Sequence, residues 1–334
     1  MVGRLGRCLA ECTVMKEEVQ TGLLLDEIFE RHDTGIGHPE TAGRVKAVAE
    51  KLKADGLVEK CQRLDFRRAR DEEILLCHHP DYLNLVKREI DGKSSGQLST
   101  GDTVYGQESL DVATQAVGGV LNAVDAVMEG GMDNAFAVVR PPGHHANADT
   151  GMGFCIFNNV AIAVRHAQRK HDLERVLIVD WDVHHGNGTQ DIFYQDGSVV
   201  YFSTHQHPWY PGTGMAGEKG DGKGEGTTIN HPLPAGSGMI EIEAAFRESL
   251  VPKMAKFKPE MVLVSAGFDS RIGDPLGQFQ LSDADFVALT GILLELADDH
   301  CEGRLVSVLE GGYSLSGLAA AAAAHLEALT GEAG

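Results

Sequence analysis

The strongest constraint on this chain is a rhythm. Short runs dominated by Val, Ile, Leu, Met, Phe and Ala at residues 135–139, 175–179, 199–202, 261–265 and 304–309 are each followed at once by a polar cluster that contains glycine. Segments with helical spacing lie between them, predicting helices over 158–170, 239–257 and 281–299, and an Ala-rich helix ends the chain. Apolar runs without alternation read as strands buried on both faces. Strands separated by helices pair in parallel, with helices covering both sides. The rhythm therefore predicts a single-domain, three-layer α/β/α fold with a mainly parallel central sheet. Every polar cluster would then stand at the C-terminal ends of the strands, the edge on which such sheets bind ligands.

Upstream the pattern is weaker. Residues 1–20 lack periodicity and a continuous apolar core, so they are read as a loose extension rather than a signal peptide, with the folded domain over 21–330. Leu23-Leu24-Leu25 leads into a Gly- and Pro-containing loop with His32 and His38, and Pro39 is expected to open a helix to about Lys53. Residues 72–76 read as a short strand. Cys77-His78-His79-Pro80 then leads into a helix through Ile90, with both histidines read as structural. Residues 91–106 read as a long loop carrying Asp102, and residues 109–129 as a helix.

Composition narrows the partners. The formal net charge is −20, from 49 acidic against 29 basic residues. That argues against direct binding to nucleic acid or an anionic membrane and for steering of cationic substrates. The six cysteines, Cys8, Cys12, Cys61, Cys77, Cys155 and Cys301, form no C-x-x-C pair and are expected as reduced thiols in a cytoplasmic protein. No apolar run reaches membrane-spanning length.

The polar clusters carry the chemistry. After the run 175–179 comes Asp180-Trp181-Asp182-Val183-His184-His185-Gly186-Asn187-Gly188. Alternation at a strand end sends Asp180, Asp182 and His184 to one side. Asp269, in Ala266-Gly267-Phe268-Asp269, offers a further carboxylate from a second strand end. Asp182, His184 and Asp269 together make two oxygens and one nitrogen, a donor set that leaves a position open for water, as catalytic metal sites do. Asp180 would stand behind it and orient a histidine. His144 and His145, in Arg140-Pro141-Pro142-Gly143-His144-His145, suit general acid and base work, one partnered by Asp180 and the other by Asn187. Tyr313, in Glu310-Gly311-Gly312-Tyr313, offers a phenol to an oxyanion.

These motifs, together with Gly153-Phe154-Cys155 and Gly186-Asn187-Gly188-Thr189-Gln190, resemble the zinc-dependent histone deacetylase family of the arginase/deacetylase superfamily over roughly residues 21–330. Asn187 and the Glu-Gly-Gly-Tyr form resemble its class II branch, since class I members carry aspartate at the matching position. The resemblance implies one catalytic Zn2+ on Asp182, His184 and Asp269. It implies His145 as general base and acid, His144 as its electrostatic partner, and Tyr313 as oxyanion donor. Gly153, Phe154 and Tyr210 would line the acyl-lysine tunnel, and Asp102 would be the rim aspartate that grips substrate. Tyr210 departs from the more usual phenylalanine, which bears on the polarity of the tunnel. Structural K+ is implied at Asp180, Asp182, His184, Ser203 and Thr204, with a second site at Phe193, Asp196 and Val199.

A lysine deacetylase acting on acetylated peptide or protein is therefore expected, with acetylated polyamines or other small acetylated amines as the alternative substrates. Family members resembling polyamine deacetylases carry glutamate where this chain has Leu276, which favours lysine substrates. A binuclear ureohydrolase would need Asp-x-His-x-Asp patterns that this sequence lacks. A non-catalytic acetyl-amine binder would be expected to have lost Tyr313, a histidine or a ligand. Homo-oligomers are compatible with the resemblance.

Overall fold

The computed structural model describes residues 19–331. Along the chain run β1 (Thr21–Leu25), α1 (Gly43–Ala54), β2 (Gln62–Arg63), α2 (Asp71–Ile74), α3 (Pro80–Ile90), β3 (Ser95–Gln97), β4 (Val104–Gly106), α4 (Ser109–Met128), β5 (Asn134–Val138) and α5 (Asn159–His171). They continue with β6 (Val176–Asp180), α6 (Asn187–Phe193), β7 (Val199–Gln206), β8 (Thr228–Leu233), α7 (Met239–Ala245), α8 (Val251–Phe257), β9 (Met261–Ala266), α9 (Asp283–His300), β10 (Leu305–Leu309) and α10 (Leu315–Leu329).

Eight strands form one sheet in the order β2-β1-β5-β10-β9-β6-β7-β8. Every neighbouring pair in it is parallel. The unbroken apolar runs explain why: β5, β6, β9 and β10 are buried along their whole length, as strands covered on both faces must be. Helices α1, α9 and α10 pack together in one layer, and α3, α4 and α5 in another. The clusters that follow β5, β10, β9 and β6 come from four adjacent strands, so their carboxyl ends meet at the middle of one sheet edge.

The structure corrects several local expectations. Residues 72–76 are not a strand: Asp71–Ile74 is the short helix α2. Its acidic first turn suits a helix N-terminus, and Glu73 accepts from the Arg70 amide (2.7 Å) and from two nitrogens of Arg67 (both 2.8 Å). The first full helix starts at Gly43, not Pro39, because the Glu40 carbonyl is engaged by the Thr34 hydroxyl at 2.6 Å. Residues 91–106 are not loop throughout, since β3 and β4 pair there as an antiparallel hairpin with Asp102 in its turn. The run starting at 199 continues in ladder register to Gln206, because β8, unmarked by any long apolar run, pairs with it from Tyr201 onward. Pro252 divides the helix expected over 239–257, and a π turn over Phe246–Leu250 joins α7 to α8.

Residues 1–18 lie outside the described residues, so the loose extension expected at the N-terminus falls almost wholly there. Among the described residues, Cys77, Cys155 and Cys301 are thiols. No helix among them is long and apolar enough to cross a membrane.

Candidate active site

The turn after β5 carries His144 and His145, and β10 holds it in place. The Glu310 carboxylate accepts from the amides of Gly143 (2.6 Å) and His144 (3.2 Å) and from the Ser265 hydroxyl (3.0 Å). Both imidazoles are buried, with ring centroids 4.0 Å apart. His144 donates from Nδ1 to Asp180 Oδ2 (3.0 Å), which also accepts from the Tyr201 hydroxyl. His145 donates from Nδ1 to Asn187 Oδ1 (2.8 Å), and the Asn187 amide nitrogen faces Met152 Sδ. The two histidines thus differ in one respect, a charged partner against a neutral one. Burial opposes a proton on His144, but Asp180, Asp182 and Glu310 outweigh it and raise its pKa to about 10. Burial, reinforced by positive charge on His144 and His184, holds His145 well below the ordinary histidine range.

Beside them, β6 and β9 deliver Asp182, His184 and Asp269. His184 Nδ1 lies 3.0 Å from Asp182 Oδ1 and 3.1 Å from Asp269 Oδ2, and one ligand atom from each residue falls within 4.8 Å of the others. The remaining carboxylate oxygens accept backbone amides: Val183 on Asp269 Oδ1 (2.9 Å) and Gly311 on Asp182 Oδ2 (2.8 Å). Such close approach demands glycine at two strand ends. A Cβ at Gly267 would stand 2.1 Å from Asp182 Oδ2, and one at Gly311 would stand 2.0 Å from Asp269 Oδ2. Burial, followed by the charge of Asp182, pushes the Asp269 carboxyl up to about 7. Burial opposes charge on His184 as well, yet Asp182 and Asp269 raise it to about 10. Fully buried carboxylates that draw protons onto an imidazole between them form a donor set that fits a divalent cation.

Above this floor opens a cavity of about 220 Å³ lined by Asp102, His145, Gly153, Phe154, His184, Trp209, Tyr210, Leu276 and Tyr313. Phe154 and Tyr313 meet edge to face at 5.9 Å, and Tyr210 stands edge-on to His145 at 5.2 Å. Phe154 has φ 68°, unusual for a bulky side chain, and follows Gly153 at φ 55°. A left-handed phenylalanine costs about 1–3 kcal/mol and persists only where its surroundings impose it. Asp102 Oδ1 accepts from the Gly153 amide (2.7 Å) and from the Tyr210 hydroxyl (3.4 Å), so the hairpin turn is tied to both walls. Tyr313 sits on a turn whose amides, with that of Ser314, donate to Asp274 Oδ2 (2.7 and 3.0 Å). Arg44 lies 5.0 Å over its ring.

Every residue singled out for catalysis, the catalytic metal or substrate contact therefore falls at this edge or in its cavity, whereas Phe193, Asp196 and Val199, singled out for a second potassium, lie at the end of α6 and the start of β7. Of the two loop histidines, His38 packs on Phe154 at 4.7 Å, whereas His32 is buried against Ser109. His78 is structural, accepting the Asn158 amide at 2.9 Å. Sequence reasoning missed Trp209, whose indole donates to the Leu276 carbonyl (2.8 Å), and the supporting roles of Glu310 and Asp274. Only Glu310 left a signal, as a carboxylate at a strand end beside two glycines.

A parallel α/β sheet that brings tandem histidines, a tyrosine and an Asp-His-Asp donor set to one narrow cavity defines a hydrolase with a candidate metal centre. Residues 38–329 match the histone deacetylase domain, and the chain belongs to that family. It is 41% identical over 310 residues to the chloroplastic histone deacetylase 14 of Arabidopsis thaliana, covering 88% of this chain and 73% of that one. A probable deacetylase of Archaeoglobus fulgidus is 40% identical over 299 residues, covering 89% and 82%. Human polyamine deacetylase HDAC10 is 44% identical over 307 residues, which span 89% of this chain and 45% of that protein. The crystal structure of the HDA15 HD domain superposes with TM-score 0.89 at 36% identity, covering 94% of this chain and 90% of that one.

Proposed function

We propose that the protein hydrolyses the acetyl amide of N-acetyl-lysine side chains in peptides or proteins, with a zinc ion held by Asp182, His184 and Asp269. The observation that carries this is the meeting of that donor set with His145 and Tyr313 at the floor of a cavity with aromatic walls. When bound, a divalent ion there acidifies water and polarises the acyl oxygen. His145 is kept neutral by burial, and because Nδ1 is committed to Asn187, Nε2 is its basic nitrogen. It takes the proton of the attacking water and delivers it to the departing amine nitrogen. His144, held positive by Asp180, supplies fixed charge next to it. Burial keeps the Tyr313 hydroxyl protonated well above its usual range, so it is a donor to the oxyanion that forms.

Asp102 is proposed as the rim acceptor for substrate N–H groups, with Phe154, Gly153 and Tyr210 flanking the lysine stem. Leu276 gives the mouth apolar contact where a polyamine site would place a carboxylate. Deacetylation of acetylated polyamines is the second reading, favoured by the net charge of −20 and by the likeness to polyamine deacetylase HDAC10. The two separate on kcat/KM for an acetyl-lysine peptide against acetylspermidine in wild type and Leu276→Glu. The expected outcome is a peptide preference in wild type and raised acetylspermidine turnover in the variant. A wild type that prefers acetylspermidine would reverse the assignment.

Potassium is proposed at the carbonyls of Asp180, Asp182, His184 and Thr204 with the Ser203 hydroxyl. In support, Asp180 and Ser203 are ladder partners and all five residues are buried. A second potassium is proposed at Phe193, Asp196 and Val199. The neutral Asn187 partner of His145 supports placement in the class II branch.

A further inference from the structure

Away from the active edge, a second set of metal-ligating side chains converges on one point. His166 and His171, both on α5, each donate from Nε2 to Asp125 Oδ1 on α4, each at 2.8 Å. The three ligand atoms lie within 4.8 Å of one another, and a cavity of about 330 Å³ gives access beside Asp125 and His166. Helix α5 starts beside the catalytic turn, where the Asn158 side chain donates to the Ala146 carbonyl. Twelve residues of helix rise carry His171 about 18 Å from there. No step of the proposed reaction uses this cluster.

We propose that Asp125, His166 and His171 form a second divalent-metal site, remote from catalysis, that clasps the last turn of α5 to α4. In the protein without metal, two imidazole protons fill the space between the three ligand atoms, and an ion would replace them. One carboxylate oxygen and two imidazole nitrogens suit zinc, nickel or copper and do not suit magnesium or calcium, which prefer all-oxygen shells. Four cations line that cavity and oppose the ion, Lys170, Arg67, Arg68 and Arg70, and each has another anion beside it, Arg68 pairing with Asp111 and Arg70 with Glu73. Lys170 Nζ, 2.8 Å from Asp125 Oδ2, also reaches Glu129 at 3.1 Å. Arg67 is held by Glu73. The site is therefore weaker than the buried catalytic one and fills at higher zinc.

The test is elemental analysis of metal-stripped protein after equilibration with tens of micromolar zinc. Wild type is expected to hold two zinc ions per chain, His171→Ala one, Asp269→Ala one, and the double variant none, with turnover of His171→Ala unchanged. In the Asp269→Ala background, zinc or nickel should raise the melting temperature by a few degrees and magnesium should not. His171→Gln keeps a donor for Asp125 and must also lose the second ion, which guards against a folding defect in the alanine variant. A single zinc in wild type, or an Asp269→Ala protein that neither binds zinc nor gains stability, would overturn the proposal. If Asp269→Ala still holds two ions, the catalytic-site assignment fails instead.

Discussion

At the scale of single residues, the site divides into groups that act and groups that hold them. Tyr313 lines the cavity and its hydroxyl has no hydrogen-bond partner among the described residues, so Tyr313→Phe should keep metal and KM while kcat falls ~10²–10³-fold, the usual contribution of one oxyanion donor. Near wild-type kcat would make the phenol structural. His145→Ala should lose more activity than Asn187→Ala, because the first removes the base and the second only its orienter. Steady-state kinetics on one acetyl-lysine peptide measures both. The residues of this group were legible in the sequence because strand alternation places Asp182 and His184 on one side and strand ends place Asp269, His144 and Tyr313 near them. The residues that hold them were not legible. Trp209 reaches the Leu276 carbonyl across 67 residues, and the left-handed backbone of Phe154 comes from tertiary contacts, which no local pattern encodes.

At the scale of elements, a buried ionic cluster ties the N-terminal segment to the catalytic turns. The Glu40 carboxylate accepts from Arg140 Nη2 (2.7 Å) and Arg44 Nη1 (2.9 Å), and Arg44 donates to the carbonyls of Gly312 and Glu310. Burial opposes charge on Glu40, but the two guanidinium groups hold its pKa down to about 2. Removing one partner leaves the others charged and dry, a loss of about 3–5 kcal/mol in comparable buried pairs. Arg140→Met is therefore expected to lower the denaturant midpoint strongly, and an unchanged midpoint would show that the cluster contributes nothing. The strand–helix rhythm made β5, β6, β9, β10 and their helices readable, since long buried elements carry dense apolar patterns. It failed for α2, the β3–β4 hairpin, α6 and β8, which are short or lie at edges, where partners rather than composition decide the conformation.

At the scale of the whole molecule, one set of buried groups should cost stability in acid, in a stated order. Burial lowers His78 to about 4 and His325 to about 3, so both are neutral in the fold. The unfolded chain takes up their protons from pH 6.5 downward while the folded protein does not, so this stability is complete above pH 6.5 and is lost as pH falls toward 4 and 3. Glu40 adds a loss between pH 4.5 and 2. Asp269 and Glu310, both pushed up to about 7 by burial, add stability as pH falls through the same interval, so the quantity to read is the difference in unfolding free energy between wild type and His325→Gln, expected from urea titrations to shrink by on the order of a few kcal/mol between pH 7 and 4. A difference that stays constant would mean that His325 titrates normally.

The central claim is that turnover depends on a metal held by Asp182, His184 and Asp269. The measurement that bears on it most directly is acetyl-lysine peptide turnover after chelation with the residual metal quantified, followed by zinc add-back. The expected result is loss of activity, recovery with zinc in wild type, and no recovery in Asp269→Ala although that protein stays folded. Full activity in verified metal-free protein would contradict it.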